Sequence, residues 1–263
     1  MDEICLTATD GVRLRLALHV SSASVARGTV VQAHGITADM DEGGMFVRLA
    51  ERLAAEGFNV VRFDYRGHGR SDGTSRGVTV AGEMIDLGTI IEDAVTRFGE
   101  PLAVVAASFG AVSTLLSLSR LPVRGLVLWN PVLDLTRTFI EPELPWGIEN
   151  FADTRQLGHL REHGYLPVDG GFELGWVAFE EFHTYGAAPL ESFLTSSVPA
   201  LVVHGDQDQA VSYDIARDAA KARPSCDFHT VAGSDHGFDS REREDEAIAV
   251  TVRWLGHQFG GAR

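Results

Sequence analysis

The stretch L-A-V-V-A-A-S-F-G-A-V-S-T-L-L-S-L-S-R, residues 102–120, decides the fold. Residues 102–107 are an unbroken apolar run of strand length, as in parallel strands covered on both faces. Residues 109–120 then read as a helix. Ser108 stands between them, on the sharp strand-to-helix turn that exposes a nucleophile. Such a turn demands small residues two positions away on either side. Ala106 and Gly110 meet that demand, although the usual motif has glycine in both places.

The same rhythm extends in both directions. Residues 12–20 alternate apolar and polar, as a half-buried strand does. Residues 28–33 form a β-rich run ending at His34-Gly35. Residues 44–56 carry Phe46, Leu49, Leu53 and Ala54 at helical spacing, and Gly57 closes that helix. Residues 58–63 form the next strand, and 82–98 read as a helix with Ile85, Ile90, Ile91, Ala94, Val95 and Phe98 on one side. Residues 123–129 are again an apolar strand. Alternating strands and helices predict a parallel sheet with helices on both faces.

Between 131 and 197 the rhythm stops. Aromatic residues crowd this segment, together with Pro142, Pro145, Pro167 and Pro189. It is too long for a simple loop and reads as a small, mostly helical cap. Alternation resumes with a strand at 198–204, a helix at 212–222, a strand at 226–231 and a helix at 239–258. The expected organisation is a core of 1–130 and 198–263, with a cap (lid) insertion at 131–197.

Composition narrows the function. The 263 residues carry 37 acidic and 22 basic side chains, a formal charge of −15. That argues against nucleic acid or anionic membrane as partner, since both are bound by basic patches. The basic residues are nearly all Arg, with Lys221 the lone lysine. No apolar run approaches the ~18–20 residues of a membrane-spanning helix. The start, Met1-Asp2-Glu3, is acidic where an export signal is basic. Cys5 and Cys226 show no metal or redox spacing. A cytoplasmic protein is the expectation, and no oligomeric state is assigned.

Three motifs carry chemistry. A serine hydroxyl needs an adjacent base, and the base needs a group that fixes its tautomer. Ser108, in A-A-S-F-G, is the nucleophile candidate. His236, in G-S-D-H-G-F after the last strand, is the base candidate. For the acid, Asp206 and Asp208 both follow the strand at 198–204, at the carboxyl edge where α/β sheets place their sites. Asp208 is preferred, and Asp206 is expected to organise the turn through its own side chain. Asp235 adjoins His236 directly, but sequence neighbours point apart. The oxyanion needs two backbone donors. Phe109 N–H and, from the loop after His34-Gly35, Ile36 N–H are the candidates. Asp64 and Arg66, in F-D-Y-R-G-H-G-R-S, are expected to brace loops beside the turn. Among the cap aromatics, Trp146, Trp176 and Phe179 are candidates for touching substrate.

Together these pieces resemble the α/β-hydrolase superfamily, whose members carry the three groups in the order Ser, Asp, His. The likeness is nearest to its bacterial cinnamoyl/feruloyl esterase and serine aminopeptidase-like (monoacylglycerol lipase-like) branch. It is carried by H-G-I-T-A-D at 34–39, V-V-R-F-D-Y-R-G-H-G-R-S-D-G at 60–73, A-A-S-F-G, L-V-L-W-N-P-V at 126–132, H-G-D-Q-D-Q-A-V at 204–211 and S-D-H-G at 234–237. The spacing H-G-x-x-D is what selects Asp208. The resemblance implies a mostly parallel eight-stranded sheet, a cap after the sixth strand, and no cofactor or metal.

The expectation is a serine hydrolase that cleaves a carboxylic ester of an apolar or aromatic small molecule through an acyl-enzyme. Acyl transfer and thioester hydrolysis use the same three residues and stay open. The lack of a basic cluster near the motifs disfavours a coenzyme A thioester. A non-hydrolytic small-molecule binding protein is the remaining alternative, since one fold serves many functions.

Overall fold

The computed structural model describes residues 2–169 and 171–260. Met1, which enters the expectation of no export signal, Gly170 of the expected cap and 261–263 at the end of the expected core lie outside the described residues.

Eight strands form one sheet: β1 (Asp2–Thr7), β2 (Arg13–His19), β3 (Gly28–Ala33), β4 (Phe58–Phe63), β5 (Leu102–Ala107), β6 (Val123–Trp129), β9 (Ala200–Gly205) and β10 (Cys226–Val231). Their spatial order is β1-β2-β4-β3-β5-β6-β9-β10. β1, β2 and β4 pair antiparallel, and all pairs from β4 to β10 are parallel. β7 (Tyr165–Val168) and β8 (Phe172–Gly175) make a separate antiparallel hairpin inside the insertion.

The central strands β3, β4, β5 and β9 are buried on both faces because helices cover both. In β5, Leu102, Val104 and Ala106 join one core with Leu87, Ile90 and Ile91 of α2 (Val80–Phe98) and Leu115 of α3 (Gly110–Ser117). Ala103, Val105 and Ala107 face the other way. They meet Phe46, Leu49 and Leu53 of α1 (Met45–Ala55) and Ile248 and Leu255 of α9 (Arg241–Gln258). This is the period-two side-chain alternation of a strand expressed in two cores. α8 (Tyr213–Lys221) packs its alanines on the first core.

The core follows the expected pattern with three differences. β1 was not foreseen: it is an edge strand whose D-E-I-C-L-T sequence lacks a strong apolar run. α2 begins two residues early, because Thr79 caps it by accepting the Gly82 N–H at 3.0 Å. Ile85 is 39 % exposed rather than on the packed side, while Glu83 and Asp86 are buried.

The insertion is mostly helical, with α4 (Pro145–Gly147), α5 (Thr154–His163), α6 (Trp176–Tyr185) and α7 (Ala188–Thr195). The β7–β8 hairpin interrupts it. Its own core joins Phe139, Phe151, Leu160, Leu166 and Phe182 to Ile36, Phe109, Val132 and Val211, which lie on loops at the carboxyl ends of the sheet strands. Among the described residues no helix is long and apolar enough to cross a membrane. Cys5 in β1 and Cys226 in β10 sit on opposite edge strands of the sheet, so they cannot bond to each other.

Candidate active site

Ser108 leaves β5 with φ at +49°, the left-handed region that a β-carbon disfavours. Its N–H donates to the Trp129 carbonyl at 2.8 Å, and its own carbonyl accepts from Val132 at 3.1 Å. These bonds to the end of β6 hold the strained turn in place. Gly110 makes the turn possible: a Cβ there would stand 2.5 Å from the Ala33 carbonyl oxygen and 2.6 Å from that of His34. Ala106 is fully buried in β5, paired with Ala33 and Leu128, so its methyl group is accommodated within the sheet.

The three sequence motifs meet. His236 Nε2 lies 2.9 Å from Ser108 Oγ, and His236 Nδ1 lies 2.8 Å from Asp208 Oδ2. Asp208, 6 % exposed, has every lone-pair direction engaged. Oδ1 accepts the Ala210 and Val211 N–H groups at 2.8 Å each, and Oδ2 is also 3.1 Å from His204 Nε2. Burial works against its charge. The positive potential of His236 and the bonds from His204 and His236 outweigh that and hold the carboxyl well below the usual range. For His236, burial disfavours the imidazolium. The charge and hydrogen bond of Asp208, with help from Glu42 and Asp235, reverse this and leave its pKa raised.

The neighbouring acids do other work. Asp206 was expected to organise its own turn. Instead Oδ1 accepts the Gly233 N–H at 2.6 Å, tying the loop after β9 to the loop that carries His236. Asp235 accepts the His236 and Gln209 N–H groups at 2.8 Å each, so it fixes the backbone of His236 and not its ring.

Asn130 escaped the reading of single residues, although it lies in a stretch that carries the resemblance. It sits at φ +43° just past β6. Its Oδ1 accepts the Gly205 N–H at 3.0 Å, and its Nδ2 donates to the His236 carbonyl. One side chain thus fastens the end of β9 to the histidine loop.

The loop at 34–37 is pinned from several sides. His34 Nε2 accepts the Tyr65 N–H at 3.0 Å, which leaves Nδ1 to donate to the Gly35 carbonyl at 2.8 Å. Burial, with the nearby His68, pushes the His34 pKa down to about 3, so the ring is neutral. His68 Nε2 reaches the Ile36 carbonyl at 2.7 Å. Gly35 N–H donates to Glu42 Oε2 at 2.9 Å. Neither the Ile36 nor the Phe109 N–H donates to another group among the described residues. Asp64 accepts the Met40 and Arg70 N–H groups, and Arg66 forks onto Asp86 and reaches Asp10. Both brace loops, as expected.

A cavity of about 230 Å³ opens on Ser108 and His236. Ile36, Val132, Phe139, Trp146, Ala210 and Val211 give it apolar walls, and Glu42, Asp169 and Asp235 add carboxylates. Of the aromatic candidates, Trp146 lines it. Trp176 and Phe179 do not, which corrects the expectation. Trp176 is 43 % exposed on the outside of α6. Phe179 is buried in the insertion core and packs on Phe182. Phe139 takes their place, stacked on Phe182 at 4.5 Å and edge-on to Phe109 at 5.8 Å. Asp169, at the hairpin turn, accepts from Trp146 Nε1 at 2.7 Å and from Thr37 Oγ1 at 3.2 Å. The hairpin is thereby tied to the loop beside Ile36. Among the described residues no cluster of His, Cys, Asp or Glu could hold a metal ion.

Sheet order and the strand–turn–helix around Ser108 define an α/β-hydrolase. A family model described as serine aminopeptidase, S33 matches residues 24–162, more than half of the chain, and the protein belongs to that hydrolase family. The match includes Ile36, Ser108 and Phe109 and ends before Asp208 and His236.

Solved structures share the whole fold. Est1E from Butyrivibrio proteoclasticus, bound to ferulic acid, superposes with a TM-score of 0.81 at 22 % identity, covering 98 % of this chain and 99 % of that one. The esterase domain of a Rhodothermus marinus protein gives 0.72 at 19 % identity, covering 97 % and 98 %. A Pyrococcus furiosus esterase gives 0.71 at 19 % identity, covering 97 % and 90 %.

Proposed function

We propose that the protein is a serine esterase that hydrolyses a carboxylic ester of a small apolar or aromatic molecule. The observation that carries this reading is the unbroken chain Ser108–His236–Asp208, with both links under 3 Å. Ser108 Oγ attacks the acyl carbonyl while His236 Nε2 takes its proton. Asp208 holds Nδ1–H and stabilises the imidazolium. The Ile36 and Phe109 N–H groups receive the oxyanion. His236 returns the proton to the leaving alcohol, and the acyl group stays on Ser108. Water then gives a proton to His236 and attacks the acyl carbon; as the acyl–Oγ bond breaks, His236 passes that proton to Ser108 Oγ, and the acid leaves with Ser108 and neutral His236 restored. Overall, one ester and one water yield one acid and one alcohol.

The segment at 131–197 acts in this scheme as the cap that selects substrate, because Phe139, Trp146 and Asp169 come from it. The cavity is smaller than the roughly 300–1,000 Å³ of drug-sized sites. That favours a short acyl chain or a single aromatic ring. The cavity carboxylates oppose an anionic substrate. The two thiols, held on opposite edges of the sheet, support a cytoplasmic setting.

The test is hydrolysis of p-nitrophenyl esters from acetate to decanoate by wild type and Ser108→Ala. The expected result is an optimum at short chains and a loss of at least about 10³-fold in the variant. Equal rates in the two proteins, or none in either, would remove the esterase reading in favour of acyl transfer to a demanding acceptor or of binding alone.

A further inference from the structure

Glu42 has no part in the reaction outlined above, yet its carboxylate sits inside the site. Oε2 accepts the Gly35 N–H at 2.9 Å. A Cβ built on Gly35 would lie 3.7 Å from Glu42 Oε1 and 3.7 Å from Ser108 Oγ, so the carboxylate and the nucleophile border the same open side of Gly35. Glu42 lines the main cavity together with Ser108 and His236. It also lines a smaller one of about 50 Å³ behind Ser108, walled by Met45, Trp129 and Asn130.

The backbone is bent to put it there. Glu42 has φ +47°, followed by Gly43 at +61° and Gly44 at +92°. Glycines enter this region freely and a glutamate does not. Strain of this kind persists where the surroundings hold it, and it concentrates at functional sites. A glutamate needed only for solubility has no reason to occupy such a turn.

We propose that Glu42 is a positioning residue for the hydrolysis, fixing the Gly35 backbone that presents the Ile36 amide and stabilising the His236 imidazolium with its charge. This role rests on the serine-hydrolase reading. The electrostatics agree with the geometry. Glu42 is half-buried, and desolvation pushes its carboxyl up to about 7 against the pull of the Gly35 N–H and His236, with Asp39 adding to the rise. Its charge therefore switches near neutral pH, and the charge on each of Glu42 and His236 favours the opposite charge on the other. The charged groups around that pair are Asp208 and Asp235 on the His236 side and Asp39 on the Glu42 side. Asp41 is engaged by Arg62, and Asp169 stands on another wall of the cavity.

Two variants separate the parts of the role. Glu42→Gln keeps the length and a carbonyl oxygen for the Gly35 N–H but removes the charge. Glu42→Ala removes both. The readouts are the His236 ring titration by NMR, which needs no substrate, and the pH profile of kcat/KM on p-nitrophenyl butyrate. In Glu42→Gln the His236 pKa is expected to fall by about one unit, and the acid limb of the profile to move with it to lower pH. Glu42→Ala is expected to show the same shift and a further ~10-fold loss of kcat with little change in KM, from a loosened oxyanion loop. An unmoved His236 titration and an unmoved acid limb in Glu42→Gln overturn the role. Ser108→Ala run alongside keeps the two readings apart. Activity lost there with an unmoved limb in Glu42→Gln overturns the Glu42 role alone, while activity retained there overturns the serine reading and the Glu42 role with it.

Discussion

The carboxyl edge of the sheet and the insertion at 131–197 meet at one cavity, but they hold their side chains by different physics. At the sheet edge each polar group is fixed by directional bonds. Asp208 has four hydrogen-bond contacts and Asn130 bridges two loops. In the insertion the cavity wall is held mainly by ring against ring, Phe139 on Phe182, Phe151 and Trp146, with Asp169 adding hydrogen bonds to Trp146 and Thr37. Hydrogen bonds fail steeply when distance or angle changes, whereas apolar packing is non-directional and tolerates rearrangement. The sheet edge is thus suited to fix the reaction, and the insertion to vary what is admitted.

Substitutions on the two sides should separate along that line. The largest effect belongs to the sheet edge. Asp208→Asn keeps the shape but removes the charge and favours the wrong imidazole tautomer, so kcat should fall by about 10⁴-fold. A loss under tenfold would mean that His236 is oriented by other groups. Next comes Asn130→Ala, which leaves the buried Gly205 N–H without its partner. Unfolding in urea should show a cost of about 1–3 kcal/mol, with kcat reduced by ~10-fold or more as the His236 loop loosens. Stability unchanged by this variant would show that Asn130 fastens nothing. The smallest effect is expected in the insertion. Trp146→Ala should move the optimum of the ester series toward longer or bulkier acyl groups, while kcat on the acetate changes only a few-fold. If it instead abolished turnover of every ester, the division between a fixed edge and an adaptable wall would be wrong.

How far the sequence could be read follows the same division. Strands such as 102–107 announce themselves because burial on two faces demands an apolar run of fixed length. Ser108, Asp208 and His236 were nominated because a strand-end motif leaves little freedom in where its side chain stands. β1 was missed, since an edge strand pairs on one side only and needs less apolar surface. The β7–β8 hairpin was missed although D-G-G at 169–171 is a turn signal, because Pro167 and the aromatic crowding suggested helix and loop. Trp176 and Phe179 were misjudged for a related reason. Aromatic residues at helical spacing do not say which will face a cavity and which will form a core. For Glu42 the sequence offers only the turn signal of Gly43-Gly44, which does not say where the side chain before it will point.

The most direct test is covalent. A fluorophosphonate probe, which reacts with a serine activated by a neighbouring base, would be incubated with the protein and the adduct located by peptide mass spectrometry. A single adduct on Ser108, absent in Ser108→Ala and strongly slowed in His236→Ala, is the predicted result. No adduct, or an adduct on another residue with Ser108 unmodified, would contradict the assignment of Ser108, His236 and Asp208 as the reacting centre.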